Sequence, residues 1–236
     1  LSAADHLARL GHAVTIMEAG PKLGGMMRFG IPQYRLPRNV LDAEIARIVA
    51  MGVSIQLNHK VDNLETTIQE SGFDAVFLAI GAHLSKRVDI PGRDAGRMID
   101  ALGFLKGMDG AAVPRIGRRV VVYGGGNTAI DAARTAKRLG AEETILIYRR
   151  DREHMPAHDF EVEEALEEGV LTRWLNTIRQ VDDSTLIVEE MTLDEEGRPQ
   201  PTGRLETLEA DTLILAVGQE VDTKFLEQVP GLDISS

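Results

Sequence analysis

The sequence predicts an α/β chain of the doubly wound class, built from two Rossmann-like dinucleotide-binding units. Three observations carry this. The chain repeats itself, helical stretches alternate with apolar strand runs, and a glycine loop stands between a strand and a helix.

Residues 1–10 have the pattern of an amphipathic helix, closed by Ala8-Arg9-Leu10-Gly11 and followed by an apolar strand, Val14-Thr15-Ile16-Met17. The second copy repeats this with Lys137-Arg138-Leu139-Gly140 and Ile145-Leu146-Ile147-Tyr148. A charged helical stretch then ends at Gly52-Val53, with Leu57-Asn58 beyond it, and Gly169-Val170 with Leu175-Asn176 are the counterparts. Residues 73–81 correspond to 210–218, each an unbroken apolar run closed by glycine. Such runs suit strands buried on both faces. Joints at Pro91-Gly92 and at 114–117 flank the passage between copies, giving expected domains 1–113 and 114–217, with 218–236 returning toward the first.

The glycine loop comes next. Val120-Val121-Val122-Tyr123 runs into Gly124-Gly125-Gly126-Asn127-Thr128-Ala129, and a helix is expected from Ile130 to Leu139. In this G-x-G-x-x-A pattern the first glycine permits a tight turn and the second lets backbone approach a pyrophosphate. The third, small residue lets helix and strand pack closely. The helix N-terminus then offers N–H groups and partial positive charge to phosphate. By itself the motif also fits an ordinary glycine-rich turn, so its context decides.

That context is Arg149, 23 residues beyond Gly126 and at the end of the second strand, where a dinucleotide fold reads the ribose. Aligning the two copies sets Glu18 and Arg149 at one structural position. A carboxylate there accepts hydrogen bonds from a ribose 2′-OH and repels a 2′-phosphate, whereas arginine offers that phosphate a planar fork. The first copy is therefore expected to take a dinucleotide without a 2′-phosphate and the second to take NADP. Arg150 and Arg152 add positive charge, although Arg-Arg-Asp-Arg-Glu also reads as a solvated charged turn.

Composition removes other classes. Twenty-six Lys and Arg against 37 Asp and Glu give a net charge of −11, which opposes sequence-independent binding to nucleic acid or an anionic membrane. No apolar run is long enough to span a bilayer, and no leader pattern opens the chain, so a cytoplasmic setting is expected. With no cysteine, this chain holds no disulfide, thiolate nucleophile or cysteine-bound cluster. His154, His158 and Glu161 have helix-like spacing, but Pro156 interrupts it, and they read as loop and cap residues rather than metal ligands. The acidic run from Glu161 to Glu168 reads as the solvated face of a helix. No carboxylate pair stands out as acid and base, and no catalytic side chain is assigned.

Longer segments carry a resemblance. Gly24-Gly25-Met26-Met27-Arg28-Phe29-Gly30-Ile31-Pro32-Gln33-Tyr34-Arg35-Leu36-Pro37 is the most specific of them. With Asp42-Ala43-Glu44-Ile45, the loop from Gly124 to Asp131, and Tyr148-Arg149-Arg150 followed by Met155-Pro156-Ala157, it resembles the small (beta) subunit of NADPH-dependent glutamate synthase. The wider family of NADPH-dependent flavin oxidoreductases, including the NADPH-reading part of dihydropyrimidine dehydrogenase, is similar. The resemblance implies an FAD domain interrupted by an NADPH domain, with hydride passing from NADPH to FAD. Electrons then move onward through iron–sulfur clusters to an acceptor subunit or domain outside this chain. Carried over by position, Glu18 resembles the FAD ribose ligand, Gly25 and Met26 the turn against the flavin, and Arg35 a flavin-proximal contact. Val61 and Gly81 would border the adenine and pyrophosphate sides of the FAD site. Gly124, Gly125, Gly126, Asn127, Thr128 and Ala129 resemble the NADPH cradle, Arg149 and Arg150 the 2′-phosphate clamp, and Gly218 the return into the FAD domain. Asn127 stands where the family often has Asp.

Ala129 aligns with the position just before Leu1, so the chain is expected to be truncated at both ends, without its first glycine loop or its closing flavin segment. As given, it is expected to bind NADP in the second unit, to hold FAD weakly or not at all, and to be catalytically silent in isolation. The residues alone leave two readings open, an electron-entry module of a flavin oxidoreductase and an NADP-binding module that does not turn over.

Overall fold

The computed structural model describes residues 1–92, 98–108, 110, 114–227, 229 and 232. They form two compact units, one of 1–29, 33–84 and 220–236, the other of 30–32 and 85–219.

The first unit opens with α1 (Ser2–Arg9), whose Ala4 is buried beside Ile48 and Val53. Asp5 on the same helix bridges Arg9 and Arg47 at 3.1 and 3.0 Å. Strand β1 (Thr15–Met17) follows, then α2 (Gly25–Phe29), α3 (Arg38–Val49) and β2 (Ser54–Gln56). β2 pairs with β1 in parallel, as a crossover through helices requires. Helix α4 (Leu64–Ser71) is capped by the Asn63 side chain, which accepts the Thr66 N–H at 3.0 Å, and ends at left-handed Gly72.

Beyond Gly72 the expectation fails. Residues 73–81 form no strand, and Val76, Phe77 and Leu78 are exposed. A strand needs a hydrogen-bonding neighbour, and among the described residues of this unit β1 and β2 pair only with each other. The matching run at 210–218 has such neighbours and is a strand. The difference lies in partners, since both runs are equally apolar.

The chain passes between the units near β3 (Leu84–Ser85) and again near β12 (Gln219–Glu220). The second unit holds β4 (Met98–Asp100), α5 (Ala101–Gly107), β5 (Arg119–Tyr123), α6 (Asn127–Arg138), β6 (Glu143–Tyr148), α7 (Asp159–Glu167) and β7 (Leu171–Trp174). It continues with β8 (Asn176–Val181), β9 (Thr185–Leu193), β10 (Pro199–Glu209) and β11 (Thr212–Leu215). The unit boundary at 84/85 departs from the expected 113/114, and residue 113 itself lies outside the described residues. The reason is packing. β4 joins the sheet beside β11, and α5 buries Ala101, Phe104 and Leu105 against it.

Five parallel strands in the order β4-β11-β5-β6-β7 form the main sheet. Both faces are covered. Val120, Val122, Leu146 and Ile214 point into the helix-side core, while Val121, Tyr123, Ile145, Ile147 and Leu213 point into the other. This period-two division of an unbroken apolar run is what burial on two sides demands. The second face is roofed by the antiparallel sheet β10-β9-β8, with Ile178, Val181, Leu186 and Val188 turned inward. Sequence reading did not anticipate this roof.

Helix α6 lies close on the sheet because Ala129, Ala132, Ala133 and Ala136, all fully buried, present only methyl groups. Arg134, at 6% side-chain exposure, ties α6 to α7 through Glu164 and Glu168.

Candidate functional site

The glycine loop occupies the bend between β5 and α6, as expected, and each glycine has its own reason to be there. A β-carbon at Gly124 would fall 2.2 Å from the Ala216 carbonyl oxygen on the neighbouring strand. At Gly125 it would collide with the Tyr148 ring. At Gly126, the cap residue of α6, it would meet nothing within 4 Å. Open space in front of the first turn of a helix, whose N–H groups have no acceptor within their own helix, is what a phosphate requires. Ala129 is fully buried on α6, consistent with its expected packing role.

Asn127 opens α6. Its Oδ1 accepts the backbone N–H of His158 at 3.1 Å, so that oxygen is engaged inside the protein. Thr128 is half-buried in the same turn.

Tyr148 ends β6, and its hydroxyl donates to the His154 carbonyl at 2.9 Å. Burial pushes this phenol up, with Arg150 and Arg149 acting in the opposite direction. Arg149 is exposed and, among the described residues, has no ion-pair or hydrogen-bond partner. Arg150 is half-buried, its carbonyl accepts the Leu175 N–H at 2.9 Å, and its Nε is buried without a partner. Arg152 instead faces Asp159 and Glu163 at 3.7 and 3.6 Å, which places it with the charged turn. Two arginines at the end of β6 are thus available to an anion.

His154 Nδ1 lies 2.7 Å from Asp151 Oδ1, and that contact holds the Asp151 carboxyl below its usual range. His158 stacks on Phe160, ring centres 5.8 Å apart. No group of three or more His, Cys, Asp or Glu among the described residues is arranged to hold a metal ion. No helix of the described residues is long and apolar enough to cross a membrane.

In the first unit Glu18 lies just past β1, where its Oε1 accepts the Gly20 N–H at 2.7 Å. The Glu18 carbonyl accepts the His59 N–H at 2.9 Å, two residues before half-buried Val61. Gly25 and Met26 open α2, and Arg35 is half-buried between α2 and α3. Buried Arg28, unassigned from sequence, anchors this segment by donating to the Leu23 carbonyl at 2.6 Å and by pairing with Asp42. It is the one charged residue between Leu23 and Pro32, a largely apolar stretch, and nothing in that pattern marks it for burial. Gly81 is exposed and left-handed, near the His83 ring rather than at the end of a strand. Gly218 follows β11, and its carbonyl accepts the Lys86 N–H at 3.0 Å.

The repeat itself needs a correction of one residue. Among the described residues, Asn58 and Leu175, at φ 53° and 54°, are the non-glycine residues in the left-handed region. Their N–H groups donate to Gly20 and Arg150 respectively, each at 2.9 Å. Thr15 pairs with Ser54 as Ile145 pairs with Leu171. On this register Glu18 is equivalent to Tyr148, and Arg149 follows at the next position. Strands apolar on both faces leave little in composition to mark a one-residue slip. Glu18 and Arg149 therefore occupy adjacent positions of the repeat.

Residues 1–234 match the family described as pyridine nucleotide-disulphide oxidoreductase. The NADPH-Fe(3+) oxidoreductase subunit beta of Geobacter sulfurreducens is 43% identical over 259 residues, covering 100% of this chain and 38% of that protein. A putative glutamate synthase [NADPH] small chain of Cereibacter sphaeroides is 35% identical over 259 residues, covering 100% of this chain and 62% of that one. The chain thus spans less than two thirds of either relative. Among solved structures, Mycobacterium tuberculosis FprA in complex with NADPH superposes with a TM-score of 0.80 at 18% identity. That match covers 99% of this chain and 70% of FprA, and at that identity it speaks for the fold.

Proposed function

The chain belongs to the pyridine nucleotide-disulphide oxidoreductase family, whose cofactors here are FAD and NADPH, and from that premise we propose that it is an electron-entry module of the glutamate synthase small-subunit type. It takes reducing equivalents from NADPH and hands them, by way of FAD, to an acceptor on another subunit or domain. The relatives are named as subunits with different acceptors, a pattern that fits one entry module serving several partners. The family name refers to disulphides, yet the chain has no cysteine, so no thiol of its own takes part.

When bound, NADPH supplies a hydride and FAD accepts it. The chain's own residues bind and orient. In the second unit the open space at Gly126 and the first turn of α6 receive the pyrophosphate, and Arg149 with Arg150 receives the 2′-phosphate. In the first unit Glu18 reads the FAD ribose, while Gly25, Met26 and Arg35 lie toward the flavin. Val61 and Gly81 border the remaining FAD site, and Gly218 ends the run from which the chain returns to the first unit. The observation that carries the reading is Arg149, a cation without a partner among the described residues at the end of β6.

The test is nucleotide titration of the purified protein and of Arg149→Ala, alongside the flavin spectrum after adding each nucleotide. NADPH binding is expected to weaken by about 1.5 to 3 kcal/mol in the variant, with NADH almost unchanged. With FAD supplied in excess, NADPH should also bleach the flavin band of the wild-type protein. Equal losses for the two nucleotides would sink the 2′-phosphate assignment, and an unbleached flavin would sink electron entry.

A further inference from the structure

The glycine loop is fastened from one side by the segment that leads into α7. Three hydrogen bonds do this. The Ala157 N–H donates to the Gly125 carbonyl at 3.1 Å, the His158 N–H to Asn127 Oδ1 at 3.1 Å, and the Tyr148 hydroxyl to the His154 carbonyl at 2.9 Å. Tyr148 also fills the space that a side chain at Gly125 would need. Asn127 is the one side chain of the loop in this set, and it reaches a backbone group rather than facing outward with both polar atoms.

We propose that Asn127 is a positioning residue for NADPH, acting through the His158 N–H instead of through the phosphates. The proposal rests on the reading that the second unit binds NADPH. A side-chain acceptor at the first residue of α6 ties segment 154–158 to the loop, and Tyr148 ties the same segment to the end of β6. The phosphate-facing N–H groups and the two arginines beyond Tyr148 are thereby held in one geometry before the nucleotide arrives. Untied, the His158 N–H loses its protein acceptor and the segment loses its only side-chain link to α6 in this set.

The chemistry separates the two roles. Holding His158 needs only an acceptor, which Asp also supplies, whereas donating to a phosphate needs the amide. His158 has φ −66°, a value proline adopts, so His158→Pro deletes the N–H with Asn127 intact. His158→Ala keeps the N–H and removes only the imidazole.

The experiment measures NADP+ affinity by titration, together with tryptic cleavage after Arg149, Arg150 and Arg152 without nucleotide. Asn127→Ala is expected to lower NADP+ affinity about five- to tenfold and to speed cleavage. His158→Pro should match it, the double variant should be no worse than either, and His158→Ala should resemble wild type. Asn127→Asp should restore slow cleavage and most of the affinity. An Asn127→Ala loss of affinity with unchanged cleavage, added to in full by His158→Pro, would overturn the proposal in favour of direct phosphate contact. Unchanged affinity in Asn127→Ala would overturn it as well. Failure of the wild-type protein to bind NADP+ would instead remove the nucleotide reading on which it rests.

Discussion

The Tyr148 ring stands where the β-carbon of any other residue at Gly125 would be, with three ring atoms 2.3, 2.4 and 2.8 Å from that point. Gly125→Ala therefore forces the ring aside, with its bond to the His154 carbonyl. The expected cost is about 1 to 3 kcal/mol of stability, the scale of overpacking in a tight site. Gly126→Ala has room for its methyl and an extended backbone, so its stability should stay near wild type while NADP+ binding falls. Denaturant unfolding and nucleotide titration of the two variants check this contrast. A Gly125→Ala protein as stable as wild type would show that the ring moves freely.

Asp211 gives a pH prediction. The side-chain hydrogen bond from Arg119, then that residue's backbone N–H, lowers its carboxyl from 3.8 to about 2. Folded below its unfolded value, this group stabilises the protein above about pH 4, and the contribution drains away as pH falls toward 2. At 29% exposure for Asp211 and 34% for Arg119, water screens the pair, so the loss is about 1 kcal/mol. Urea midpoints of wild type and Asp211→Asn at pH 5, 4 and 3 should converge on acidification. Parallel lines would refute the linkage.

Arg134 is buried between carboxylates of α7, with Glu168 at 2.7 Å. Burial raises the Glu168 carboxyl, but hydrogen bonds from Arg138 and Arg134 outweigh it and hold the group below its usual range. Arg134→Ala should destabilise by about 1 to 3 kcal/mol, because it opens a void at a buried side chain and removes its charged hydrogen bonds to Glu164 and Glu168, the latter keeping Arg138. The same variant should raise the Glu168 titration midpoint, which carboxyl-resolved NMR reads directly.

Glu18 closes its own turn through the Gly20 N–H, at 2.7 Å. Glu18→Gln keeps that acceptor and gives up the charge, whereas Glu18→Ala gives up both. FAD affinity measured by titration should fall in the order wild type, Gln, Ala, with the Ala variant weaker by about tenfold, near one charged hydrogen bond. Identical affinity in all three would remove Glu18 from the FAD site.

The second unit was largely legible because its signals are local. Glycine spacing, four apolar residues before the loop, and arginines at the next strand end all lie within 30 residues of one another. Register was harder. The left-handed residues that fix it, Asn58 and Leu175, share no side-chain chemistry, and a Leu in that conformation carries no sequence signature. The β8 to β10 roof was missed although Gly197 turns its hairpin, because β9 buries residues on both faces and loses clean alternation. Residues 73–81 were misread for the opposite reason. Their apolar pattern is clear, but pairing depends on neighbours, and composition does not report them.

The methyl-lined face of α6 has a mechanical consequence. Four alanines hold the helix against β5 at a distance set by contact and not by flexible side chains, so the helix cannot rock without opening a void or compressing the sheet. The mouth of the helix inherits that stiffness. On the proposed reading, an incoming dinucleotide meets donors whose ordering was settled during folding, and it spends little of its binding energy arranging them. Residues that never touch the ligand thus set its entropy of capture, and a single added methyl at Ala132 or Ala133 would detune the cradle from beneath.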